Sequence, residues 1–299
     1  MLATSINALR KLKRYIGDVN GFAEALITRK ETIAVTHFTN MVAAVAYPLL
    51  LRLRRQLTQS FVESHSVTKR ISLSSEFMDW EEFEEEEEEA VEEVYREILV
   101  DSGNRTLAML ALPFLLVGRR RDVTDISRRY TRTLFRGLRR QAVSQTRSLI
   151  DQARSQNWSQ TRLVRELRLR ISLSSRQQGA IAKLESRLKD DGVKQAEINR
   201  RLALESERKL QYRAKMIART EASRARSRGT LLAFNEAGLD WAVYTTQPGA
   251  CEICVENEMA GPEYKLSQAE DMIPAHPNCV CTWRPLYVSP SEYHEIAYR

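Results

Sequence analysis

All four cysteines of this 299-residue chain, Cys251, Cys254, Cys279 and Cys281, fall within one 31-residue window. Pro262, Pro274, Pro277, Pro285 and Pro290 punctuate the same part of the chain and make it loop-rich. A short segment of that kind buries too little apolar surface to hold itself without a staple. The spacing supplies one. Cys251-Glu252-Ile253-Cys254 is a Cys-x-x-Cys turn, in which both thiolates reach one ion at about 2.3 Å. The second half, His276-Pro277-Asn278-Cys279-Val280-Cys281, brings the candidate ligands to five, one more than a tetrahedral site takes. The favoured set is Cys251, Cys254, His276 and one of Cys279 or Cys281, with the other a buried thiol or alternative ligand. A thiolate-rich tetrahedral set suits Zn²⁺, and four protein ligands close the site, which makes it structural. Inert cysteines are the bland alternative. A redox-active Cys-x-x-Cys would sit in βαβ surroundings that this segment lacks.

Composition bounds the rest. Charged residues are 28% and the hydrophobic set 43%, which excludes a wholly disordered chain, a collagen-like fibre and an integral membrane protein. Low aromatic content beside abundant Arg, Leu, Ala and Glu points to helices. The N-terminus, with Arg10, Lys11, Lys13 and Arg14 before a mixed segment, does not read as a signal peptide. The longest apolar run, Leu107–Val117, is broken by Pro113 and falls well short of the roughly 20 residues of a membrane span; it reads as a buried helix-and-turn segment. Without an export signal, clustered cysteines favour metal over disulfides, so assembly in a reducing cytoplasm is expected. The net charge of +7 conceals a division. Between Glu76 and Glu97 there are 13 acidic residues and one base, Arg96, giving −12, while the remainder carries +19. A body that basic commonly meets a polyanion or an acidic protein surface.

The pattern predicts a mainly α protein with extended helical N-terminal and middle regions and a small zinc-stapled α+β module at the C-terminus. Four regions follow: an N-terminal helical region (1–63), an acidic Ser/Glu-rich insertion (64–97), a helical body with a basic face (98–238), and a loop-rich Cys/His module (239–299). In the first, helical pattern runs from about Ile6, and Ala43, Ala44, Ala46, Leu49, Leu50 and Leu53 form an apolar face. Eight of the nine residues Glu81–Glu89 are Glu, and such a block repels itself. It reads as a solvated insertion or, functionally, as an acidic arm that docks on a basic partner or masks the protein's own basic surface. From Asp122, Ile126, Tyr130, Leu134 and Leu138 recur every four residues and cover about 120° of a helix. Arg128, Arg129, Arg132, Arg136, Arg139 and Arg140 share the opposite face. Such a face is either simply solvated or meets phosphates and carboxylates, because guanidinium pairs with them in planar fashion. Ser159 and Ser174 read as helix N-caps, Asp190-Asp191-Gly192 as a stop, and a long helix runs from about Lys194 to Ala237, ended by Gly238. Trp241–Thr246 is strand-like, followed by a Gln247-Pro248-Gly249 turn.

Signals for catalysis are weak. Glu252, Glu256 and Glu258 lie near the first cysteine pair, but their spacing singles out no general base for an open metal site. The His-x-Glu then Pro-Cys-x-x-Cys order of zinc deaminases is absent, as are a P-loop, a Gly-x-Ser-x-Gly elbow and His-Glu-x-x-His. His294 reads as a terminal surface residue. The chain is therefore expected not to be an enzyme; a metal-dependent nuclease and a basic nucleic-acid-binding factor are the competing readings.

One combination of motifs is familiar. Ile217-Ala218-Arg219-Thr220-Glu221-Ala222 precedes a small-residue stretch with Ala225 and Gly229, then Gly238, Trp241, Cys251-x-x-Cys254 and Pro274-Ala275-His276-Pro277-Asn278-Cys279-x-Cys281. Upstream stands Leu173-Ser174-Ser175-Arg176-Gln177-Gln178. In that order the segments, from roughly Asn157 to Leu286, resemble the phage head morphogenesis family, minor head proteins similar to protein F of phage Mu. Gln247-Pro248-Gly249 stands where the family commonly has an Asp, and Val280 where it tends to have Arg. The resemblance implies a minor virion component that joins the viral capsid in few copies, associates with the portal protein and other head components, and is linked to packaging or delivery of the viral double-stranded DNA.

Overall fold

The computed structural model describes residues 36–62, 79–110, 112, 116, 118–247 and 250–286. The helical reading before residue 36, the serine-rich part of 64–78, the Pro248-Gly249 turn, Pro290 and His294 lie outside the described residues. Within them the protein is mainly helical, with a small antiparallel sheet near the C-terminus and the cysteines and His276 gathered beside it. The helices are α1 (36–62), α2 (Trp80–Met109), α3 (Arg121–Ser155), α4 (Gln160–Arg170), α5 (Ser175–Asp190) and α6 (Gln195–Glu236). They are followed by β1 (Trp241–Thr245), α7 (Glu252–Met259), β2 (Glu263–Lys265), α8 (Leu266–Ala269) and β3 (Thr282–Leu286).

Local chemistry sets the helix ends. Ser159 Oγ accepts from the Arg162 N–H at 3.2 Å, and Ser174 forms a reciprocal capping box with Gln177, so each satisfies an orphan donor of the first turn. Gly192 and Gly238 stop α5 and α6 at φ of +69° and +71°, a backbone region open to Gly at little steric cost. At Gly238, Leu239 N–H bonds Phe234 O and Gly238 N–H bonds Asn235 O, both at 3.0 Å, the paired bonds of a Schellman stop.

The glutamate block corrects the sequence reading of a separate 64–97 insertion. Residues 80–109 form one continuous helix, so the expected boundary at 97/98 falls inside α2. Three features outweigh the self-repulsion. Asp79 caps the first turn, accepting from Glu81 and Glu82 N–H at 3.0 Å, and acids there complement the positive end of the helix dipole. Phe83 is 1% exposed and meets Trp80 and Phe135 edge to face. Basic side chains from α1 and α3 lie opposite, with Arg52 2.5 Å from Glu87.

Ion pairs also give the register. Glu84, Glu88 and Glu92 oppose Arg139, Arg132 and Arg128 in reverse order, so α2 and α3 run antiparallel. Tyr95 bonds Glu221 and Thr106 bonds Thr230, so α2 and α6 run parallel. Their backbones meet at Gly229, where an added Cβ would stand 2.4 Å from Leu99 O and 2.1 Å from Ser102 Oγ. Ala214, Ala218, Ala222 and Ala225 continue this small-residue seam into the core.

The link between α4 and α5 is held by buried polar groups. Arg54 Nε donates to Ile171 O at 3.0 Å, Ser206 Oγ to Leu169 O at 2.7 Å, and Ser172 N–H to Gln145 Oε1 at 3.1 Å. Arg213 donates to Ser172 O. In the sheet, ordered β2-β1-β3 with both pairings antiparallel, Ala242 and Tyr244 of β1 point into a second core shared with Leu231 and Phe234 of α6.

Candidate metal centre

The first half of the centre forms because β1 leads directly into a helix start. Cys251 is the N-cap residue of α7, with extended backbone, and Cys254 lies three residues on, so both thiols face the same side of the first turn. Thr246 fastens the intervening loop to that helix, its Oγ1 donating to Glu258 Oε2 at 2.6 Å. The second half is a turn between α8 and β3. Asn278 takes a φ of +67°, and Cys279 N–H bonds His276 O at 3.1 Å.

The two halves converge. His276 Nε2 lies 3.0 Å from Sγ of both Cys251 and Cys254, while Nδ1 lies 2.8 Å from Pro277 O. An Nδ1–H donated to that carbonyl leaves the Nε2 lone pair aimed at the thiols, the tautomer a metal ligand needs. Cys254 Sγ is 3.8 Å from Cys279 Sγ, about the edge of a tetrahedron around an ion with 2.3 Å thiolate bonds. Cys251, Cys254 and His276 form one triad, and Cys254, Cys279 and Cys281 a second. Together they could hold a metal ion. The four cysteines are free of disulfides; Cys251 is exposed and the other three are buried. The hydrogen bond with Cys281 lowers the Cys279 pKa, and the same bond together with burial raises that of Cys281. Either Cys279 or Cys281 can complete the set, since both sulfurs lie within reach of Cys254.

Helix α6 carries this module through polar contacts that sequence reasoning did not identify. Asn278 N–H donates to Thr220 Oγ1 at 3.0 Å. Arg226 Nη2 donates to Val280 O at 3.0 Å and Cys281 O at 2.9 Å, bracing the segment that bears the last cysteine just ahead of β3. Trp283 Nε1 donates to Ser227 Oγ at 2.8 Å, and Arg228 pairs with Glu270 at 2.5 Å. The Arg219-Thr220-Glu221 motif divides its work by helix rotation. Arg219 is exposed, Thr220 holds the Cys/His turn, and buried Glu221 accepts from Tyr95 at 2.6 Å and pairs with Arg224.

No protein-family model, curated protein or solved structure matches the chain.

The arginine face on α3 stays largely exposed, and carboxylates of α2 lie near three of its members. Arg128 lies 3.5 Å from Glu92, Arg132 3.7 Å from Glu88, and Arg139 3.9 Å from Glu84, with Arg139 also over the Trp80 ring. Arg129 covers Tyr130, and Arg140 Nε donates to Arg136 O. Half of the stretch thus has a carboxylate of the same chain within 4 Å. The sequence signal was the shared near-four-residue spacing of both charge sets. Glu252 and Glu256 lie outside both ligand triads, whereas Glu258 is engaged with Thr246. Among the described residues, no helix is long and apolar enough to cross a membrane.

Proposed function

We propose that this chain is a minor head protein of a tailed bacteriophage, acting in head morphogenesis at or near the portal vertex. What carries the reading is the motif order, with the Ile217–Ala222 helix segment ahead of Cys-x-x-Cys and Pro-Ala-His-Pro-Asn-Cys-x-Cys. The contact between Thr220 and Asn278 supports it, because it makes the helix motif and the cysteine motif parts of one device. The metal in this proposal is Zn²⁺, held by Cys251, Cys254, His276 and Cys279, with the Cys281 thiol donating to Cys279. A donor set of three sulfurs and one imidazole suits zinc, and four protein ligands leave no open position for chemistry. The role is structural and the protein is not an enzyme. Its partners are the portal protein and other head components, with contact to the packaged viral DNA. Its place is the virion, and the host cytoplasm during assembly.

Co-expression with a portal protein tests the reading: the two are expected to co-purify, through the region N-terminal to the metal module. Failure of that association, together with metal-dependent DNA or RNA cleavage by the C-terminal module, overturns it in favour of a nuclease. Elemental analysis of protein prepared without chelator is expected to find about one zinc per chain; absence of metal removes the zinc assignment.

A further inference from the structure

The outward side of α6 carries a row of side chains that neither the metal module nor the arginine face of α3 uses. Tyr212 is 62% exposed, and Arg208, Lys215 and Arg219 are exposed as well. At 100° per residue these four fall within about 60° of one another, and they extend along about 16 Å of helix. Arg208 has one long pairing, 3.8 Å from Glu205, with its own side chain 79% exposed. Lys215 and Arg219 form no ion pair among the described residues. The acids nearest in sequence are occupied elsewhere: Glu205 lies 3.0 Å from Lys209, and Glu207 accepts from Tyr47. This differs from α3, where an acidic helix lies across the arginines. The row ends beside the metal module, since Arg219 immediately precedes the Thr220 that holds Asn278.

Cations and an aromatic ring in alternation match a specific ligand chemistry. Phosphates satisfy the cations, while an unpaired base stacks on the ring. A duplex hides its base faces, and an acidic protein surface offers carboxylates but nothing to cover the tyrosine. We propose that this face of α6 binds single-stranded nucleic acid, with Arg208, Lys215 and Arg219 on phosphates and Tyr212 stacked on a base. The proposal goes beyond the function above, whose packaged DNA is double-stranded, and it stands on a different surface.

Fluorescence anisotropy of the full-length protein with a labelled oligothymidylate tests it. Lys215→Gln combined with Arg219→Gln is expected to weaken binding and to lower the salt slope by about 1.4, the counterions of two single-strand phosphates. Tyr212→Ala is expected to cost about tenfold in affinity, the scale of one lost stack, while Tyr212→Phe retains binding. Equal affinity of the ladder variants and the parent protein overturns the proposal. So does loss of binding in Tyr212→Phe, duplex bound as tightly as single strand, or polyglutamate displacing the oligonucleotide at equal charge. A portal that still co-purifies with a chain that binds no oligonucleotide leaves the head-protein reading standing while this one fails.

Discussion

Cys254 belongs to both ligand triads and is 1% exposed, whereas Cys251 sits at the rim of the cluster. Cys254→Ser and Cys251→Ser should each abolish stoichiometric metal, and protease should then cut beyond about Trp241 while sparing the helices. Cys281→Ser should keep the metal, because a serine hydroxyl can still donate to the Cys279 sulfur. Metal analysis with limited proteolysis checks all three, and metal loss in Cys281→Ser would make that residue the ligand. Thr220→Val keeps the side chain's shape but leaves Asn278 N–H without its acceptor. It should cost about 1–2 kcal/mol and raise amide exchange in the 276–281 turn above that of α6. The five candidate ligands were legible in the sequence because thiol spacing is itself a geometric statement. The choice between Cys279 and Cys281 was not, since both sulfurs lie beside Cys254 in the folded chain. Nor was Arg226, which on sequence alone is one more base in a basic helix.

Helices were legible where their ends carry local chemistry. Ser159, Ser174, Gly192 and Gly238 each act within a few residues of their own position, so a single sequence displays them. The glutamate block was misread because its compensation is remote: Arg128, Arg132 and Arg139 come roughly 40 residues later, and Phe83 anchors the first turn from inside the block. Removing Glu81–Glu89 would take Phe83 with it and so damage the α2–α3 core. Glu84→Gln, Glu88→Gln and Glu92→Gln in combination instead remove charge and keep the helix. That variant should gain duplex DNA affinity through the freed arginines, with a steeper salt dependence than the parent; filter binding over a salt series reads it directly. Gly229→Ala tests the α2–α6 seam. Its new methyl meets the Leu99 carbonyl, a backbone atom that cannot rotate away, and the expected loss is about 1–3 kcal/mol in urea unfolding, without change in far-UV spectrum.

At the scale of the molecule the two cores hang on one element. The N-terminal part of α6 packs into the larger helical core and its C-terminal part into the core beneath the sheet. Chelation should consequently act unevenly. The module of residues 241–286 loses its staple and opens, yet Arg226, Ser227 and Arg228 still tether it, and helical circular dichroism should fall only slightly. A fully cooperative loss of helix on chelation, seen by far-UV spectroscopy, would show that the metal supports the whole fold. The 42 residues of α6 contain no break, which makes it a rod of about 63 Å. A rod transmits displacement without storing it. If the Cys/His end is seated against a larger body, a shift there reaches the α4–α5 end at nearly full amplitude, as a crank moves at both ends together, and the protein can report a change at one end of its length as a change at the other.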